Sequence, residues 1–144
     1  MTPTAELARD RAPGATAAPI GRSMSGPERI KIAERLDELA SLEPNWDGYG
    51  AKLIDPAALR QASVVLEDLH GWPLREPEIF PVPDGGVQLE WTSGPVELEL
   101  EFEAGGQSAV FVCDVGHTEQ RIDGELPRDS ALLRLALVRL AAFQ

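Results

Sequence analysis

The sequence has a single cysteine, Cys113, and only two histidines, His70 and His117, in 144 residues. One thiol excludes an intrachain disulfide and suits a reducing compartment. Cys113 and His117 make one C-x3-H spacing without the second ligand pair that a structural zinc site needs. Long apolar runs are missing: nothing approaches the roughly 20 residues that span a bilayer, and the N-terminus lacks a signal-peptide core. The expected location is therefore the cytoplasm. Basic residues are scarce as well, 13 against 24 acidic, for a net charge of −11. That balance repels nucleic-acid phosphates and anionic membranes, so neither is an expected partner, while encounter with a basic protein is favoured. Phosphate-binding glycine loops, nucleophile elbows, HExxH pairs and calcium loops are absent too. No cofactor, no metal and no catalytic residue is assigned, and binding is a better expectation than catalysis.

What is present reads as one small α+β domain. Residues 1–24 mix Ala, Pro, Gly and Thr without a lasting apolar period, and are expected to be a disordered tail before a domain at 25–144. A helix starts at Ser25, an N-cap with Pro27 in the first turn and Glu28 as its capping-box partner. Ile32, Leu36 and Leu39 form its apolar stripe, and Pro44 lies beyond its end. A second helix starts at Asp55-Pro56, carries Leu59, Ala62, Leu66 and Leu69 on one face, and stops near Gly71. A third, capped by Asp129, runs to the C-terminus.

Between the second and third helices the period changes to two. Turn residues at Asp84-Gly85, Ser93-Gly94 and Gly105-Gly106 separate four β-rich runs, a four-stranded antiparallel meander. The sequence HTEQRIDG admits a short fifth strand. Taking each pair as a turn sets Phe80 opposite Leu89 and Val82 opposite Val87. It also pairs Trp91 with Val96, Leu89 with Leu98, Phe102 with Ala109, and Leu100 with Phe111. All three turns place the same side chains on one face, which the C-terminal helix is expected to cover.

The other face is acidic. Glu97, Glu99, Glu101 and Glu103 alternate with Val96, Leu98, Leu100 and Phe102, and this register sets Glu90 across from Glu97. One reading is a solvated face that keeps the sheet soluble. The other is a surface for the Lys and Arg side chains of a partner protein. In the last helix only Arg134 and Arg139 are polar between Ala131 and Phe143, more apolar surface than one packing stripe requires. Leu133, Leu137 and Leu140 are its expected partner-facing residues, toward another protein or a second copy in a homodimer.

The loop EPNWDGYGAKLIDP joins the first two helices. Gly48 and Gly50 suit positive φ, and Asp47 suits an Asx turn. Trp46, Asp47 and Tyr49 are then either a rigid joint or a recognition patch, since Trp and Tyr are enriched at binding hot spots. The stretch ELASLEPNWDGYGAKLID, followed by PDGGVQLEW, resembles a group of small bacterial proteins in which an NWDGYGA loop precedes a helix and a hairpin. The resemblance covers roughly residues 33–103. Leu53-Ile54 stands where that group has a Pro-Ile-like step. It implies a bacterial source and a shared fold, and carries no activity with it.

Together these features point to an acidic protein-binding module that neutralises or escorts its partner, as antitoxin, immunity or chaperone proteins do. The alternative is a small-ligand-binding domain or enzyme with a pocket beside Trp46, Asp47, Gly48 and Tyr49.

Overall fold

A computed structural model of the chain describes residues 26–116 and 120–143. The tail expected at 1–24, the Ser25 cap and His117 lie outside these residues, as does the side chain of Glu28. The order of elements is α1 (Gly26–Ala40), α2 (Pro56–Asp68), β1 (Glu78–Pro81), β2 (Val87–Ser93), β3 (Val96–Phe102), β4 (Ala109–Val115), β5 (Ile122–Leu126) and α3 (Ser130–Ala141). The five strands form an antiparallel meander in sequence order. The fifth strand is therefore present.

Alternation builds the core. Val87, Leu89, Trp91, Val96, Leu98, Leu100, Phe102, Ala109, Phe111 and Cys113 are all buried, while their sequence neighbours on the strands face the other way. Every helix packs on that buried face: α2 on β2 and β3, α3 on β2, β3 and β5, and α1 beside β1 and α2. The connection after α2 adds Leu69, Trp72 and Leu74 to the core, and the Trp91 indole N–H donates to the Arg75 carbonyl at 3.1 Å.

Three local expectations need correction. The β1–β2 register differs by one residue from the reading above: Ile79 lies opposite Leu89, and Phe80 opposite Gln88. A two-residue loop would close on Pro83, which has no N–H to give. Instead Pro83 joins Asp84 and Gly85 in a three-residue loop, closed by the Val82 N–H on the Gly86 carbonyl at 3.0 Å. A one-residue slip exchanges faces, so Ile79 enters the core and Phe80 moves to the open side.

The β2–β3 turn is Gly94-Pro95, and Ser93 pairs with Val96. Here the expected turn would again have closed on a proline, Pro95. The slide is two residues, so the faces are kept while the partners change, and Glu90 lies opposite Glu99 instead of Glu97. The β3–β4 pairing of Phe102 with Ala109 is as expected.

Third, Asp129 precedes α3 but its side chain makes no cap bond. Its carboxylate turns back to accept the Glu125 N–H at 2.9 Å, with its Cβ packed against Gly124. Asp55 does cap α2, accepting the Ala57 N–H at 2.8 Å, and Pro56 opens the helix.

Candidate protein-binding face

No described helix is long and apolar enough to cross a membrane. All three described helices lie on one side of the sheet, and no described helix packs on the other. Every carboxylate that the strands carry points to that open side, and no strand contains a Lys or Arg. The register sets Glu78, Glu90 and Glu99 side by side across β1, β2 and β3. Glu97 sits between Thr92 and Asp114, and Glu101 between Gln88 and Val110. Asp123 and Glu125 extend the acidic surface onto β5. Like charges directly opposite one another, as Glu78, Glu90 and Glu99 are, oppose folding.

Three contacts temper this repulsion. The Gln88 side-chain amide donates to Glu90 at 2.8 Å, and at the sheet's edge Arg121 pairs with Asp123 at 3.1 Å and Arg128 with Glu125 at 4.0 Å. Val110, Val112 and Phe80 are half-buried among the carboxylates and give the face an apolar centre. The carboxyls of Glu78, Asp114, Asp123 and Glu125 were not singled out from sequence. The outward parity of Asp114 was nonetheless readable from the alternation in AVFVCDV.

Desolvation, followed by the charges of Asp84, Glu103 and Glu99, pushes the Glu101 carboxyl above its ordinary value of 4.5. The native state therefore binds a proton more readily than the unfolded chain. Stability is gained as pH falls through the raised pKa and lost as pH rises through it. Glu101→Gln is accordingly expected to raise the unfolding free energy at pH 7 by about 0.5 kcal/mol. The gain should vanish well below pH 4.5, and urea titrations of both proteins across that range check it.

The loop before α2 is built from its own hydrogen bonds. Asn45, at φ +67°, accepts the Gly50 N–H on its side-chain oxygen at 2.7 Å. Asp47 Oδ1 accepts the N–H groups of Tyr49 and Ala51 at 2.8 and 3.0 Å. The half-buried Trp46 donates its indole N–H to the Lys52 carbonyl at 3.1 Å. Gly48 and Gly50 take positive φ, as their sequence context suggested. Trp46 and Asp47 are thus occupied in shaping the loop.

Tyr49 is different: 92 % exposed, it is presented to solvent by this rigid frame, with Leu53 exposed in the same segment. The Lys52 N–H donates to Pro83 and the Asp55 N–H to Gly85, which fixes the loop against the β1–β2 turn. Asp84 lies in that turn, and its charge is one of those that raise the Glu101 carboxyl, after desolvation.

The C-terminal helix presents other residues than expected. Leu133, Leu137 and Leu140 are the core-facing stripe, at most 1 % exposed, and cannot meet a partner. The outward residues are Leu132, Leu135 and Val138, three apart, with Leu135 47 % exposed. The spacing gave two apolar stripes; only the sheet's position decides which one is covered. Cys113 is buried, and burial pushes its thiol above the ordinary value. Among the described residues no cluster of His, Cys, Asp and Glu is arranged to hold a metal ion. Two cavities lie between α1 and α2 and beside β1, and neither of these is lined by Trp46, Asp47 or Tyr49. Compared with family models, curated proteins and solved structures, the chain matches none.

Proposed function

We propose that this chain is a protein-binding module that takes a basic partner on the uncovered face of its sheet and so neutralises or escorts it. One observation carries the reading: the described strands place all their carboxylates, and no Lys or Arg, on the one face that no described helix covers. A face on which carboxylates outnumber their counter-ions disfavours folding. It gains its counter-ions when Lys and Arg of a partner arrive, and it steers that arrival. Glu90, Glu97, Glu99 and Glu101 supply the charge, Val110 and Val112 an apolar centre, and Tyr49 an exposed aromatic anchor in the loop bonded to the β1–β2 turn. The rigid loop lowers the entropy lost when Tyr49 is engaged.

The outward stripe of α3, Leu132, Leu135 and Val138, favours a second contact, either with the same partner or with a second copy of the chain. A pocket at the Trp46 loop finds less support, because the Asp47 Oδ1 oxygen is engaged by two backbone N–H groups.

The test is affinity capture from the source cell, followed by titration of the purified partner against variants. Glu97→Lys/Glu99→Lys/Glu101→Lys is expected to weaken binding at least about 100-fold, because three close charge pairs become repulsive. Tyr49→Ala should weaken it about tenfold. Both variants should keep the wild-type circular dichroism and melt. Undiminished binding by the folded triple variant would remove the acidic face as the site.

A further inference from the structure

The helical side of the molecule, away from the acidic face, carries two patches that match each other. One is a groove of about 740 Å³ between α1 and α2, with an apolar floor of Ile32, Leu36, Leu59 and Leu66 and with Asp37 and Glu67 at its rim. Glu67 pairs with Arg29 at 2.8 Å, whereas Asp37 makes no ion pair among the described residues. The other patch is the outward stripe of α3, where Leu132, Leu135 and Val138 are each at least 40 % exposed. The charged residues of α3 are Arg134 and Arg139 alone.

We propose that the groove takes the α3 stripe of a second copy of the chain, reciprocally, so that two copies pack helical side to helical side. Charge selects this occupant. At a net charge of −11 two copies repel each other. The described strands hold carboxylates and no Lys or Arg, so the sheet sides repel most. From Arg29 onward, however, the helices carry six basic and five acidic side chains. The helical side is therefore the side on which two copies meet without that repulsion.

Charge also decides which patches touch. Two α3 stripes laid together would set Arg against Arg, because α3 has no acid to offset them. The groove instead offers Asp37 and Glu67 to the same arginines. Apolar exposure follows the same division. The described strands expose no large apolar side chain, whereas Ile30, Val64, Leu132, Leu135 and Val138 are exposed on the helices. Length agrees as well: the 12 residues of α3 rise about 18 Å, and the groove wall from Arg29 to Ala40 about 17 Å. Because stripe and groove lie on the same side of one chain, a two-fold axis engages both at once and the pair closes. Both acidic faces then point outward, and this inference does not rest on them.

Sedimentation equilibrium of the full chain over a concentration series tests it. The wild type is expected to reach twice its monomer mass of 15.6 kDa. Leu135→Glu alters the stripe and Ala33→Lys the groove wall, both at exposed helix positions, so both variants should keep the wild-type circular dichroism. Alone, each variant spoils both contacts of the pair and should dimerise at least about 100-fold more weakly. Mixed, the two variants regain one intact contact, the Ala33→Lys stripe in the Leu135→Glu groove. The mixture should therefore associate at least about tenfold more tightly than either variant alone. A mixture no tighter than its components would mean that stripe does not meet groove, and would overturn the proposal. So would a dimer that neither variant weakens, which would place the contact elsewhere. A wild type that stays monomeric throughout would overturn it in favour of a different protein in the groove.

Discussion

Phe102→Ala is expected to lower the unfolding free energy by about 4 kcal/mol, while Phe80→Ala costs less than about 1.5 kcal/mol. Phe102 has no exposed surface and closes the end of β3, a strand that α2 packs on, opposite Val87 and Ala109. Its removal leaves a cavity that strands bonded on both sides cannot collapse to fill. Phe80 has the same side chain and is a strand residue too, but the three-residue turn puts it on the open face, half-buried opposite Gln88. Had the turn been Asp84-Gly85 alone, Phe80 would be in the core and the two substitutions would cost alike. Ile79→Ala completes the comparison at about 3 kcal/mol, since Ile79 is the buried member of β1. Chemical denaturation of the three variants decides the register. Equal costs for Phe80 and Phe102 would contradict it.

The second large effect concerns the joint that fixes the candidate loop. Gly106→Val should cost about 3 kcal/mol or more, whereas Gly105→Ala should cost about 1 kcal/mol. Both glycines have positive φ, +97° at Gly105 and +68° at Gly106. A Cβ at Gly105 would meet nothing within 4 Å, so only the backbone conformation is penalised. A Cβ at Gly106 would lie 2.6 Å from the Ala57 Cβ and 3.1 Å from the Ala57 carbonyl carbon. The β3–β4 turn would have to lift off the first turn of α2.

Lifting that turn breaks more than one contact. Asp55 caps α2 with Oδ1 and accepts the Gly105 N–H with Oδ2 at 2.6 Å, so one carboxylate ties helix start and hairpin together. These backbone bonds, to Ala57 and then Gly105, hold the Asp55 carboxyl below its ordinary value. The same residue's N–H holds the β1–β2 turn through Gly85. Thermal melts of the two glycine variants measure the difference. If Gly106→Val melts with Gly105→Ala, the close approach to Ala57 is not a constraint on folding.

A stability gain from Glu101→Gln would belong with the proposed function. A carboxylate kept where it opposes folding is more easily understood as serving a partner than as serving the sheet. Glu101 differs in this from Arg29 and Glu67, an exposed pair whose charges satisfy each other within the chain.

The sequence by itself determined the elements and most of the sheet. Caps such as Asp55-Pro56 and glycine-bearing turns are local signals, and a two-residue period assigns faces without reference to anything distant. The β2–β3 turn moved by one position, the register slid by two residues, and no face changed. The β1 register was also legible in principle, because Pro83 cannot close a hairpin, but the Asp-Gly signal is the stronger local pattern. The acidity of the second face was visible as the run of alternating glutamates on β3.

Other features were decided only by the tertiary structure. The helix α3 offers two apolar stripes, and only contact with the sheet buries Leu133, Leu137 and Leu140 and turns Leu132, Leu135 and Val138 outward. The exposure of Tyr49 follows from hydrogen bonds that spend Asn45, Trp46 and Asp47 on the loop itself. The row of Glu78, Glu90 and Glu99 exists because separate strands bring together residues that are distant in the chain. Local preference acts within a few residues, whereas burial and juxtaposition depend on which surfaces the whole chain brings into contact.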